Sequence, residues 1–474
     1  MKSVNKNFIY NSLYQLLLYI IPLILTPYIS RTLHAEKIGV YSYTYSFVYY
    51  FMLLTLLGIN NYGARNIAKF SDEKEKMNTF FSELYGLQMR IGVVMLVVYN
   101  VLVFSLFNEY INISLIHNLF LISAILDINW LYFGLEKFKI TITRNIIVKL
   151  FSLIFVFIFV KNESDLWIYT LIMALSTLLS QLYLFIVLKK YVSPKHVPFK
   201  NSLKHLKGCL VLFIPVLAYS IYRVMDKTMI GSIANKVQLG LYDNSEKIIN
   251  IPVSIITAMG TVMVPYMSKK PKNKGEIDKK ILSSFELCFF LIMAMIFGLL
   301  AIASDFSSLY FGTGFEECGT IIKFLLPSIL FAAIANVIRT NYLIPFEKDK
   351  IYVISTIVGA CVNLILNLLF IKKYGAIGAC IGTVAAEFSV MIYQLIAVRK
   401  DLMIGKILKL LLKYFFKGLI MYIIIFSFGY FINNIYLRLL CQIITAIIIY
   451  FILCRKYIVY DFLGKKTQKN KKLL

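Results

Sequence analysis

Residues 222–231 read "YRVMDKTMIG" within a segment otherwise rich in Ile, Leu, Phe and Tyr. Arg223, Asp226 and Lys227 interrupt what reads as a membrane-spanning run. A charge at the bilayer centre costs about 2.5–3.5 kcal/mol on insertion scales. The segment keeps three charges close together, so they must face something other than lipid. They stand at i, i+3 and i+4 and share one helix face. Asp226 neutralises one cation there, and one positive charge is left over.

The rest of the chain fits that reading. Of its 474 residues, 59% are hydrophobic and 16% are charged, whereas globular domains carry about 25% charge. This is the composition of a polytopic membrane protein, and no polar stretch is long enough to form a soluble domain. A net charge of +26 would suit a nucleic-acid binder only if the cations clustered on a folded surface. Here they fall in short loops between apolar runs, so no nucleic-acid partner is expected. The N-terminus is basic, then apolar, without a small-residue cleavage site, and reads as an uncleaved first helix.

About 20 apolar residues cross the hydrocarbon layer as a helix. With that ruler the sequence gives fourteen spans, the first at 8–30 and the last at 435–454. The apolar runs are continuous rather than alternating, which selects helices over a barrel. Lys and Arg concentrate in alternate loops, richest in "KKYVSPKHVPFKNSLKHLK" (189–207) and "SKKPKNKGEIDKK" (268–280). The positive-inside rule then places both termini in the cytoplasm of a multi-pass protein of the cytoplasmic membrane.

A repeat divides the spans. "EKIGVYSY" (36–43) follows the first span and "VQLGLYDN" (237–244) follows the seventh. Gly39-x-Tyr41 thus corresponds to Gly240-x-Tyr242. The expected fold is all-α, two six-helix lobes around a central cavity plus two C-terminal helices. Residues 1–200 hold helices 1–6, residues 201–400 hold helices 7–12, and residues 401–474 hold helices 13–14 and a basic cytoplasmic tail. Parallel repeats of this kind recur among transporters.

Several absences narrow the chemistry. Seven cysteines are scattered with no C-x-x-C, four histidines have no ligand spacing, and there is no Walker-type phosphate loop. No catalytic residue, metal or cofactor is expected. The intramembrane charges are the candidate site instead. Arg31, Arg65, Lys149, Arg223 and Lys227 are candidate cavity cations. Asp127, Asp226 and Glu387 either pair with such cations or bind a coupling ion. An interior with surplus cations suits an anionic substrate. Lys323, Lys413, Lys417 and Glu286 lie near span ends and read as snorkelling or helix-joining groups. Gly378 and Gly382 form a small-x-x-x-small face for close helix packing, and the membrane-embedded prolines read mainly as kinks.

The opening "NSLYQLLLYIIPLILTPYISRTLHAEKIGVYSYTYSFVYYF", followed by "LLGINNYGARNIA", resembles the bacterial polysaccharide repeat-unit flippases. These Wzx-type proteins belong to the multidrug/oligosaccharidyl-lipid/polysaccharide exporter superfamily. "DKTMIGSIANKVQLGLYDNSEKI" and "VMVPYMS" resemble the start of that family's second lobe. The resemblance implies alternating access around a cationic cavity, with helices 13 and 14 forming a groove for a lipid tail. The implied substrate is an undecaprenyl-diphosphate-linked oligosaccharide, moved to the outer leaflet for capsule, O-antigen or other surface glycan. A polysaccharide polymerase of the same pathway is the implied protein partner. An outward-moving charge of −2 would gain about 4.6 kcal/mol per 100 mV of interior-negative potential. Three alternatives stay open: a peptidoglycan-precursor flippase, a drug or metabolite antiporter of the same superfamily, and a membrane polysaccharide polymerase.

Overall fold

The computed structural model describes residues 2–268 and 274–457. The basic loop at 268–280 lies partly outside these residues, and the C-terminal tail lies outside them from 458 onward. The described chain is helical, with no strand. The helices are α1 (Lys2–Leu56), α2 (Ile59–Phe70), α3 (Lys74–Leu106), α4 (Ile111–Ile116), α5 (Asn118–Ile125), α6 (Asn129–Gly134), α7 (Phe138–Phe159), α8 (Leu166–Leu188) and α9 (Phe199–Leu203). They continue with α10 (Leu206–Ile233), α11 (Lys236–Ser268), α12 (Lys274–Phe311), α13 (Glu317–Ile338), α14 (Asp349–Tyr374), α15 (Ala376–Val398), α16 (Ile404–Phe431) and α17 (Ile435–Lys456). Among the described residues, 11 helical segments are long and apolar enough to cross a membrane. The molecule is a multi-pass, all-helical membrane protein.

Where the helices break is set by local chemistry. Two prolines, Pro22 and Pro27, lie inside α1, yet its sharp turn is at His34, with φ 55° and ψ 173°. The first and second expected spans therefore form one element bent at His34. Leu57 and Gly58 adopt positive φ and end α1, a conformation that glycine takes without steric penalty. The break between α5 and α6 has neither Pro nor Gly. There the Asp127 carboxylate accepts from the backbone N–H of Asn129 at 2.9 Å and from its side-chain amide at 2.6 Å, replacing helix bonds by local ones.

Contacts group the chain into two compact units, residues 1–243 and 244–474. In the first, Gly63 lies against the buried Trp130 ring, where a Cβ would approach within 2.7 Å. Tyr28 ties α1 to the end of α7 by donating to the Val160 carbonyl at 2.6 Å. In the second, α14 and α15 meet through Gly378, whose Cβ would come within 2.4 Å of the Phe370 carbonyl oxygen. Gly418 of α16 packs on Phe297 of α12 in the same manner. Glu286 accepts from Lys413 at 2.8 Å and from Tyr414 at 2.9 Å, so these groups join α12 to α16.

Candidate functional site

The first polar site grows from the repeat. A Cβ on Gly39 would lie 1.7 Å from the Lys236 carbonyl oxygen, and a Cβ on Gly240 would lie 1.9 Å from the Ala35 carbonyl oxygen. Ala35 precedes Gly39 by four residues, as Lys236 precedes Gly240. Each repeat glycine therefore packs on the backbone one turn before its counterpart, and the contact has local two-fold symmetry. The exchange point is chemical as well. Ser42 Oγ donates to Asp243 Oδ1 at 3.0 Å, and these two residues are themselves separated by the repeat, 201 positions. The Gly-x-Tyr match in the sequence marks a crossing of two backbones in direct contact.

The charges of the opening stretch converge on this crossing. Lys227 Nζ meets Asp243 Oδ1 at 2.6 Å, with the Lys227 side chain 22% and the Asp243 side chain 9% exposed. Tyr242 donates to Asp226 Oδ2 at 2.8 Å, and Asp226 is buried. Tyr50 and Thr228 lie 3.2 Å apart beside them. Lys236 Nζ stands 3.7 Å from the centroid of the Tyr43 ring, a cation–π contact. Arg223 is half-buried on the same helix.

A second polar node surrounds the break between α5 and α6. Gln88 Nε2 donates to the carbonyls of Ala124, Ile125 and Asp127 at 2.8, 3.2 and 2.9 Å. These are carbonyls that the interrupted helix leaves in need of donors. Gln88 Oε1 in turn accepts from Trp130 at 3.2 Å. Arg144, 5% exposed, donates to the Ser180 carbonyl at 2.9 Å and to the amide oxygens of Asn129 and Asn145 at 3.1 and 2.7 Å. Arg144 and Gln88 were not among the sequence candidates. An Arg within an apolar run was the available signal for the first; nothing in the sequence pattern distinguishes Gln88.

A third node fastens the long connector between α8 and α10. The buried Glu83 carboxylate meets Lys204 at 2.6 Å and His205 Nε2 at 2.8 Å. Arg90 donates to Ser202 at 2.9 Å and to the Val197 carbonyl at 3.2 Å. The chain from 193 to 205 is thereby laid along α3. Arg90 is part of this strap.

The remaining candidates are dispersed. Arg31 and Arg65 are exposed, the latter 5.8 Å from the Tyr62 ring centroid. Lys149 is half-buried on α7, next to the exposed Leu150 and Phe151. Glu387 is half-buried on α15. The structure brings Asp226, Lys227 and Asp243 to the repeat crossing and Asp127 to the node of Arg144. Asp243, absent from the sequence candidates, was hidden by its place at the edge of a span.

Comparison with known proteins adds the following. A family model described as "Polysaccharide biosynthesis protein" matches residues 4–271. A protein of Shigella dysenteriae named "Putative O-antigen transporter" is 25% identical over 389 residues, covering 80% of this chain and 96% of that protein. A protein of the same name from Escherichia coli K12 is 24% identical over 410 residues, covering 84% of this chain and 97% of that protein. Among solved structures, a lipid II flippase, MurJ, in an inward closed conformation matches with a TM-score of 0.79 and 17% identity. That match covers 95% of this chain and 99% of the flippase chain.

Proposed function

The chain belongs to the polysaccharide biosynthesis protein family, and from that premise we propose that it flips lipid-linked oligosaccharide units across the cytoplasmic membrane for surface-glycan assembly. It is a membrane transporter rather than an enzyme. Such a substrate has two incompatible parts, a polar headgroup and a long hydrocarbon tail. The observation that carries the reading is an apolar cavity of about 260 Å³ in the second unit. It is walled on one side by Ile425, Ile443 and Ile447 of α16 and α17, and on the other by Ile251, Pro252 and Leu299. The last two helices of the chain thus border a slot of the chemistry that a polyprenyl tail requires. A transporter of small polar drugs has no use for it.

The headgroup falls to the cations. Lys227 is already satisfied by Asp243, so an anionic headgroup would exchange with that carboxylate rather than meet a bare ammonium. Arg223, one turn away, offers the planar two-bond fork that suits a phosphate. Arg31, Arg65 and Lys149 complete the proposed set of anion contacts, and Asp127, Asp226 and Glu387 are the groups proposed to carry a coupling ion or balance charge. The proposed count is fourteen crossings. It follows if 21–70 supplies two of them, bent at His34, and if the charged α10 and α11 also cross. The lobes 1–200 and 201–400, alternating access and cytoplasmic termini belong to the same proposal.

The test is genetic and direct. A strain without this protein should continue to make lipid-linked units, accumulate them on the inner leaflet and lose surface glycan. Normal surface glycan in that strain, with no second flippase present, would overturn the reading. The peptidoglycan-precursor alternative predicts arrest of cell-wall growth instead.

A further inference from the structure

A cavity of about 290 Å³ lies in the second unit among α11, α12 and the end of α13. It is separate from the apolar slot and shares no lining residue with it. Its construction begins with an irregularity. After Ile338 the helix widens into a π turn over Arg339–Leu343, closed by Ile344 N–H donating to the Arg339 carbonyl at 2.9 Å. Such widenings are frequent at functional sites. This one carries Thr340 and Asn341 into the cavity wall beside Asn336.

The wall holds unspent hydrogen-bonding capacity. Asn341 is 2% exposed, and its side-chain oxygen is buried with no partner. The side-chain oxygen of Asn336 is likewise buried and unpartnered. Leaving a buried polar group unmet is costly, so two in one cavity call for an occupant. Gly260 shapes the space in front of them. A Cβ there would lie 2.7 Å from Asn336 Oδ1 and 3.0 Å from Thr340 Oγ1, so both oxygens converge on a spot kept open by the missing side chain. The rest of the lining is hydrocarbon from Ile256, Met259, Leu287 and Val337, with the hydroxyls of Ser283 and Ser284.

The chemistry of the occupant follows. No described lining residue is ionisable, so the site offers no countercharge to a carboxylate, a phosphate or an ammonium, and burying an uncompensated charge there is costly. Carboxamides and hydroxyls both donate and accept, which matches a ligand whose groups do the same. An apolar wall facing polar groups suits a flat ring with hydroxyls at its edge and C–H bonds on its face. The volume is near the lower end for ligand pockets, about 300–1,000 Å³. We propose that this cavity is a binding site for a neutral, hydroxyl-bearing ring of monosaccharide size, selecting uncharged over charged sugar residues. The proposal deepens the transport reading and rests on it for the source of the sugar, but its binding arm stands independently. The ring comes either from the headgroup of the lipid-linked glycan or from a free sugar.

The experiment uses the purified full chain bearing Ser283→Cys, an exposed position on the cavity rim. Maleimide labelling of that thiol is followed by peptide mass spectrometry, with the exposed native Cys361 as internal control. Methyl glucoside or methyl N-acetylglucosaminide should slow labelling at position 283 at least five-fold and saturably, without affecting Cys361. Glucuronate and glucosamine at equal concentration should not. Gly260→Ala, which fills the open spot, and Asn341→Leu should each weaken half-saturation at least ten-fold; the second serves if the first does not fold. Absence of saturable protection, equal protection by charged sugars, or unchanged protection in a folded variant would overturn the site. Protection by a lipid-linked glycan in nanodiscs, competed by methyl glucoside, assigns the ring to the headgroup. Protection by free glycosides alone assigns it to a soluble sugar and keeps the site. Saturable protection of a parent protein whose deletion leaves surface glycan normal would count against the flippase reading only.

Discussion

The two copies of the repeat make the same backbone contact with different chemistry. Gly39 and Gly240 pack reciprocally on Lys236 and Ala35, and Tyr41 and Tyr242 follow each glycine at the same spacing. Around that shared frame, the charges fall at different positions: the first copy has Glu36 and Lys37 where the second has Val237 and Gln238, and the second has Asp226, Lys227 and Asp243 where the first is uncharged. Ser42 faces Asp243, and Lys227 corresponds by the same offset to Thr26, Asp226 to Leu25. A duplicated crossing requires only that two backbones approach, which constrains glycine and leaves neighbouring positions free to diverge. The buried polar pairs formed on one side, where Asp243 receives Lys227 and Asp226 accepts from Tyr242. The symmetric part is a matter of folding, and the asymmetric part is where substrate or ion chemistry can reside.

The largest effect should come from the asymmetric pair. Breaking a buried ion pair by removing one partner costs about 3–5 kcal/mol. Asp243 is the more buried partner, so Lys227→Met, which takes the ammonium from it, should lower membrane abundance and thermal stability more than Asp243→Asn. The Lys227 side chain is 22% exposed and keeps some access to water. The double variant Lys227→Met/Asp243→Asn should recover stability, and its transport, normalised to protein level, should remain low if the pair serves the headgroup. Recovery of both stability and transport would reduce Lys227 to a strut.

A smaller effect tests the symmetric part. Gly39→Ala and Gly240→Ala each place a methyl group against a backbone carbonyl that cannot rotate away. Overpacking costs about 1–3 kcal/mol, and the upper end applies here. The two variants should lose thermal stability by similar amounts, while Gly405→Ala, with nothing within 4 Å, should be neutral. A tolerated Gly240→Ala beside a destabilised Gly39→Ala would show that the contact is not equivalent in the two copies.

Much of this was legible in the sequence because membrane helices announce themselves. Apolar runs of about 20 residues give their location, and the all-helical class followed. The Gly-x-Tyr repeat was visible because close backbone contact leaves only glycine as a solution. The polar nodes were harder to see. Asp127 was singled out as an intramembrane acid, but beyond its local bond to Asn129 the node around it is built from α3, α7 and α8, far apart in the chain, and no local pattern links Gln88 to Arg144. Glu83 sat in a segment read as a span end, where a carboxylate is ordinary, yet it anchors the connector at Lys204 and His205. The sequence orders residues along one line, and these nodes are assembled across bundles.

The smallest expected effect isolates a single hydroxyl in each copy. Tyr242 and Tyr41 are repeat-related, and both rings lie among packed side chains. Tyr242 donates to the buried Asp226 at 2.8 Å, whereas Tyr41 contributes its ring, 4.9 Å from the Tyr169 centroid and 5.8 Å from that of Tyr45. A hydrogen bond to a charged acceptor is worth about 1.5–3 kcal/mol. Tyr242→Phe removes it while preserving the ring, and should lower stability by about 1.5 kcal/mol. Tyr41→Phe preserves all that the ring supplies and should stay within about 0.5 kcal/mol of the parent, the range of substitutions that remove no specific interaction. Thermal unfolding of the two variants, measured side by side in one detergent, gives the difference directly. Equal losses would mean that the hydroxyls do equivalent work, and the chemical difference between the two copies would then fail at a pair of positions where the side chains are identical.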